Sequence, residues 1–222
     1  MHTVLAAIVL ALLPQEKNEA EELFKNMEGK LAAAKSVVVK VKGSMQGIDF
    51  TGDLLLGEEN RARYVFEMTH EDKKTSSTSV SNGAKIAVIT TDGRAVPPYE
   101  APKKFGLLMR ARLARSGFIG AMDAIQDERN AKEDPESTIA ASDFKLGSKE
   151  KVGEREALQV SYTLKKAGRP DMGSIVWIDV VTHLPLKRVL TMGPTVVSEA
   201  YTEIKIDEKI DAAKFELPKE AK

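Results

Sequence analysis

KKFGLLMRARLARSGFIGAMDAIQ, Lys103 to Gln126, reads as a helix set between segments that read as strand. At ~100° per residue, Phe105, Leu108, Met109 and Leu113 fall on one arc, and Leu107, Ala111, Ala114 and Phe118 fall on another. Two apolar arcs exceed what a surface helix needs, so this segment buries most of its circumference and packs on or across a sheet. Arg112 projects inside the first arc, between Phe105 and Leu108. A cation there needs a partner or a route to water.

Outward from this insert the period changes to two. Upstream, Val37, Val39 and Val41 alternate with Val38, Lys40 and Lys42. Past a turn at Gln46-Gly47, Ile48, Phe50, Leu54 and Leu56 continue the apolar set. Arg61 to Thr69 places Ala62, Tyr64, Phe66 and Met68 on one face, and a polar strand, Lys74 to Val80, precedes the Asn82-Gly83 turn and the strand Lys85 to Thr91. Pro97, Pro98 and Pro102 end this strand region. Downstream, after the charged run DERNAKEDPEST (Asp127 to Thr138), strands resume around Phe144, Leu158 to Leu164, Ser174 to Asp179, Leu186 to Thr191 and Val196 to Ile206. About ten strands with short connections predict antiparallel pairing, and the fold class is mainly β (α+β). Before the strands, Gln15 to Ala34 is an amphipathic helix, with Ala20, Leu23, Phe24, Met27, Leu31 and Ala34 on its apolar stripe.

Composition removes several function classes. The 33 Lys+Arg balance 33 Asp+Glu, so no net charge recruits nucleic acid or an anionic surface. Aromatics at 5% are too few for base-stacking platforms. With no cysteine, disulfides, thiolate metal sites, cysteine nucleophiles and lipidated-cysteine anchors are all excluded. At the N-terminus VLAAIVLALL, Val4 to Leu13, has the length of a secretory h-region and would extend only ~15 Å as a helix, half a hydrocarbon core. Residues 1–14 are therefore expected to be a signal peptide and 15–222 a single domain, with the helical insert near 103–130 as its lid. The expected location is periplasmic or otherwise extracytoplasmic.

Catalytic signatures do not emerge. The glycines stand at turns, His183 stands alone beside Leu184-Pro185, and His70, Glu71 and Asp72 are neighbours in one loop, which seldom converge on a metal ion. The expectation is a protein that is not an enzyme and needs no cofactor.

Three stretches, together with the helix of Leu23, Phe24 and Met27 that runs into the Val37 strand, carry a family resemblance. IVWIDVVTHLPLKRV, Ile175 to Val189, combines a strand, an Asp-containing turn, Leu-Pro and a second strand. YTEIKIDEKIDAAKFELP, Tyr201 to Pro218, ends on a strand, an acidic link and a Phe-x-Leu-Pro close. FTGDLLLGEENRARYVFE, Phe50 to Glu67, supplies the opening hairpin. As an ordered set these resemble the periplasmic outer-membrane lipoprotein carriers of the LolA/LolB type. The resemblance implies an incomplete, strongly curved antiparallel β-barrel with helices covering its open side. It also implies a non-catalytic role: holding acyl chains of lipoproteins or other lipids between sheet and helices, with only peripheral or transient membrane contact. The alternative is a sensor or interaction module of the same fold that binds envelope partner proteins. Candidate cavity residues are Val37, Val39, Val41, Phe50, Leu54, Tyr64 and Phe66 on the strands, Trp177 farther on, and Leu108, Met109 and Phe118 on the lid. Each has a plain alternative as solid core. Arg112 is either a structural partner of a sheet carboxylate or a polar ligand contact at the mouth.

Overall fold

A computed structural model describes residues 18–126, 139–166 and 168–218. The expected signal segment and the charged run DERNAKEDPEST lie outside the described residues. Helix α1 (Glu19–Ala33) starts where Asn18 accepts hydrogen bonds from the amides of Ala20 and Glu21. Glu19, Glu21 and Glu22 then face the positive end of the helix dipole. Its buried stripe is Ala20, Phe24, Met27 and Leu31, as the spacing requires.

Six strands follow as a meander: β1 (Val37–Met45), β2 (Ile48–Leu56), β3 (Arg61–His70), β4 (Lys73–Asn82), β5 (Lys85–Thr90) and β6 (Ala95–Glu100). After α2 (Phe105–Gln126) comes a second meander of β7 (Ala140–Val152), β8 (Arg155–Lys165), β9 (Met172–Asp179), β10 (Pro185–Met192) and β11 (Thr195–Ile206), closed by a short 3₁₀ turn at Ala212–Phe215. The two meanders join through antiparallel β1 and β11, with Val37 opposite Ile206 and Met45 opposite Val197. One sheet results, in the order β6-β5-β4-β3-β2-β1-β11-β10-β9-β8-β7.

The expected incomplete, strongly curved barrel of about ten strands does not form. Pairing runs once through eleven strands and stops, leaving an open sheet whose edges, β6 and β7, do not bond to each other. Both edges carry features that suit them to that place. Pro97 and Pro98, read from sequence as the end of the strand region, lie inside β6 and withhold two N–H donors from it. β7 slips register twice along β8, between Ser142 and Lys145 and between Leu146 and Lys149, irregularities of the kind that bend and end a ladder.

Both helices cover one face of this sheet. α2 lies on that face near the junction of the two meanders, where its first apolar arc is buried; on the second arc Ala114 and Phe118 are buried, Ala111 is half-buried and Leu107 stays 43% exposed, so the expectation that both arcs are covered holds only in part. Phe105, Leu108, Met109, Leu113, Ala114 and Phe118 are all buried in one cluster with α1 and the inward residues of both meanders. The tip of the Phe118 ring points at Gly52, where a Cβ would stand 2.9 Å from the ring's Cε2 and closer still to Cζ and Cε1. At the β9–β10 turn Asp179 accepts the amides of Val181 (2.7 Å) and Thr182 (2.6 Å), and Lys30 of α1 donates to the Thr182 carbonyl at 3.0 Å.

Candidate functional site

The site begins at a break in α2. Gly117 has φ +80° and ψ −165°, a conformation essentially confined to glycine, and it divides the element into residues 105–116 and 118–126. Each side of the break exposes unsatisfied backbone groups that would be costly to bury. Two charged side chains from neighbouring strands satisfy them. Arg188 on β10 donates through Nη2 to the Ala114 carbonyl (2.7 Å) and through Nη1 to that of Arg115 (2.7 Å), a cation at the negative end of the first segment. Glu199 on β11 accepts the amides of Phe118 (2.9 Å) and Ile119 (2.8 Å), a carboxylate at the positive end of the second.

Arg188 and Glu199 are cross-strand register partners, 0% and 2% exposed. Two tyrosines complete the network. Tyr162 receives a hydrogen bond from Arg188 Nη1 and donates to the Arg115 carbonyl at 2.6 Å, while Tyr201 donates to Glu199 Oε2 at 2.6 Å. Burial pushes both phenols above their ordinary range, so they remain protonated donors. Burial alone would lower the Arg188 guanidinium, but interaction with Tyr162, Tyr201 and Glu199 outweighs it and keeps the group charged.

Past the break, residues 118–126 run over β3 to β6 and wall the inner part of a groove on the sheet. Its outer part is a cavity of about 750 Å³ lined by Phe66 and Met68 of β3, Thr75 and Ser77 of β4, Thr90 of β5 and Val96 of β6. Asp92 and Arg94 stand at its exposed rim, paired with each other at 2.6 Å. Its inner part is a chamber of about 260 Å³ that shares Ser77 and Val96 and adds Tyr64, Ser79, Val88, Tyr99, Met122 and Ile125. These sizes sit within or just below the span of ~300–1,000 Å³ usual for small-molecule sites, and the outer lining sets Phe66, Met68 and Val96 among the hydroxyl side chains Thr75, Ser76, Ser77, Thr90 and Thr91. Tyr64 is fixed by stacking on Phe118, centroids 4.4 Å apart, and Tyr99 by donating to the Ile125 carbonyl at 2.9 Å.

Of the residues singled out from sequence, Tyr64 and Phe66 line the groove. Val37, Val39, Val41, Phe50, Leu54, Leu108, Met109 and Phe118 are buried in the main cluster beneath and beside α2, in mutual contact. Arg112 is buried too, 1% exposed. Trp177 lies elsewhere, in a separate small cluster with Ala157 and Leu186, its ring under the Lys187 ammonium at 4.4 Å. Met68, Val88, Val96, Tyr99, Met122 and Ile125 were not singled out. Of these, Met68 carried a usable signal, sharing the alternation of Tyr64 and Phe66. Tyr99, Met122 and Ile125 depend on where the second half of α2 comes to rest, and Val88 and Val96 on the pairing of β5 and β6.

Among the described residues, no group of three or more His, Cys, Asp or Glu side chains is placed to hold a metal ion, and no helix is long and apolar enough to cross a membrane.

No protein-family model matches the sequence, and no curated protein matches it. Solved structures do. LprF from Mycobacterium bovis superposes with a TM-score of 0.52 at 10% identity, covering 87% of this chain and 95% of that one. The Mycobacterium tuberculosis lipoprotein LppX gives 0.47 at 13% identity, covering 86% and 98%. A LolA superfamily protein, NE2245 from Nitrosomonas europaea, gives 0.34 at 9% identity, covering 89% and 97%. At these identities the likeness extends to the fold alone: one open antiparallel sheet with helices on one face resembles the architecture of LprF.

Proposed function

We propose that this chain is an exported, non-catalytic lipid-binding protein that holds an acyl chain in the groove between β3–β6 and the second half of α2. The observation that carries the reading is the groove itself. Phe66, Met68 and Val96 keep apolar surface at the outer cavity of about 750 Å³ although a continuous core lies directly beside it. Each methylene placed there leaves water with a gain of ~0.8 kcal/mol. Half-buried Met68 and Met122 add side chains that conform to chains of differing shape. In this reading residues 1–14 direct export, residues 15–222 form the binding domain, and contact with membranes is peripheral and transient.

Native mass spectrometry of protein purified from an envelope fraction, with lipid extraction and displacement by an apolar fluorophore, tests the proposal. Co-purifying acyl species that the fluorophore displaces support it. A clean apoprotein that takes up no fluorophore refutes it.

A second reading rests on β7, a 13-residue edge strand, mostly exposed along its length and, among the described residues, paired in the sheet only to β8, with its Phe144 carbonyl taken by Asn18 at 3.0 Å. Such an edge can accept a strand from a partner protein. Backbone amide protection of β7 on addition of envelope extract, with no acyl ligand present, favours this interaction role over carriage.

A further inference from the structure

The groove has an open end and a closed end, and the strand register tells them apart. Along β3 it is lined in turn by Met68, Phe66 and Tyr64, a run of about 13 Å of strand. The next residue on that face, Ala62, lines neither the outer cavity nor the inner chamber. Ala62, Ser81 and Ile86 form one ladder row across β3, β4 and β5, and all three are buried. Tyr99 of β6 extends this row, opposite Ile86, and its ring lines the chamber. Its hydroxyl donates to the Ile125 carbonyl at 2.9 Å, so the ring at the closed end is tied to the last turn of α2.

Charge is confined to the other end. Among the described residues, the only acidic or basic side chains lining either part are Asp92 and Arg94. They stand in the β5–β6 turn beyond Thr90, at the exposed rim, and pair with each other at 2.6 Å. A charged headgroup carried inward past them would lose water without meeting a counter-charge, whereas a hydrocarbon tail gains by the same move. The space also contracts inward, from about 750 Å³ to about 260 Å³.

We infer that an amphiphile enters this groove tail first: its methyl end lies in the inner chamber against Tyr99, whose ring is the stop that limits chain length, and its polar end stays at the rim of Asp92 and Arg94. This rests on the lipid-binding reading and adds the orientation and the length limit of its ligand.

Two measurements test it. In the first, straight-chain alcohols from decanol to octadecanol displace an apolar fluorophore. Each added methylene is expected to tighten binding by about fourfold until the chain meets Tyr99, after which longer alcohols gain nothing. Tyr99→Leu is expected to move that break to a longer alcohol. Tyr99→Phe, which loses the bond to Ile125 and keeps the ring, is expected to leave the break in place. Affinity that climbs without a break, a break that stays put in Tyr99→Leu, or one that moves as far in Tyr99→Phe overturns the stop. In the second, the wild-type chain is photo-labelled by two dodecanol probes, one with a diazirine near the methyl end and one with it near the hydroxyl. The first is expected on Val88, Tyr99 and Met122, and the second on Thr90, Asp92 and Arg94. Reversed or identical labelling within the groove overturns the orientation while leaving the lipid-binding reading intact. Alcohols that displace no fluorophore, together with probes that label nothing in the groove, overturn both.

Discussion

Replacing Gly117 by alanine tests the break that directs α2 over the groove. An added Cβ would stand 2.8 Å from Arg188 Cδ and 2.9 Å from Glu199 Cδ, with a carboxylate oxygen nearer still. Those groups cannot withdraw without giving up their bonds to the α2 backbone. Holding a non-glycine residue at this backbone conformation costs about 1–3 kcal/mol. Overpacking against a buried network adds about 1–3 kcal/mol. Together the loss is about 2–6 kcal/mol, which for a chain of this size lowers the melting temperature by about 4–24 °C. Gly29→Ala provides the contrast, because its Cβ meets nothing within 4 Å and it lies inside α1. It should stabilise by about 0.5–1 kcal/mol. Thermal denaturation followed by circular dichroism reads both variants. A Gly117→Ala variant that melts with the wild type refutes the reasoning, as does a Gly29→Ala variant destabilised to the same extent.

Further substitutions follow from the same geometry. Glu199→Gln removes the charge facing buried Arg188 and weakens the acceptors for Phe118 and Ile119; urea unfolding should show a loss of about 3–5 kcal/mol. Phe118→Ala empties the space over Gly52 and beneath Tyr64, at a cost of about 3–5 kcal/mol by the same measurement. Met68→Trp fills the outer cavity, so fluorophore binding should fall at least tenfold with little change in melting temperature, whereas Trp177→Phe, in its separate cluster, should leave binding unchanged. Acid sensitivity should trace in part to Asp179. Burial opposes its charge, but the Thr182 and Val181 amides and Arg155 outweigh burial and hold the carboxyl below its ordinary 3.8. Its stabilisation is therefore fully present above that value and is lost as pH falls through the lower folded value. Asp179→Asn should flatten the acid limb of a melting profile taken between pH ~5 and ~2.

The sequence reading succeeded where one face of an element is apolar and the other is not. Val39/Val41 and Phe50/Leu54 alternate with polar or glycine neighbours, and Tyr64/Phe66 sit in a run flanked by Arg63 and Glu67 and interrupted only by Val65, so their inward side was legible from period. Trp177 was not legible in that way, because Ile175, Val176, Trp177 and Ile178 are all apolar and parity does not choose between faces. The break at Gly117 was hidden because nothing local distinguishes it from Gly106 or Gly120, which stay helical. What sets it apart is the arrival of Arg188 and Glu199, and those two meet only through the register of β10 on β11. The openness of the sheet depended on which strands become edges, a property of the whole pairing order. Pro97-Pro98 was the one local mark of it, and it reads equally well as the end of a strand or as an edge. The groove was half legible: its β3 wall follows from alternation, while Met122, Ile125 and Tyr99 depend on the course of α2 after the break.

Photo-crosslinking with a diazirine-bearing alkyl probe, followed by peptide mapping, places an acyl chain on the molecule directly. Labelling that concentrates on Phe66, Met68, Val96 and Met122, competes with unlabelled dodecanol and disappears in Met68→Trp is the result expected of a lipid held between β3–β6 and α2. Labelling spread over the outer face around Trp177, or confined to the β7 edge and indifferent to Met68→Trp, contradicts it.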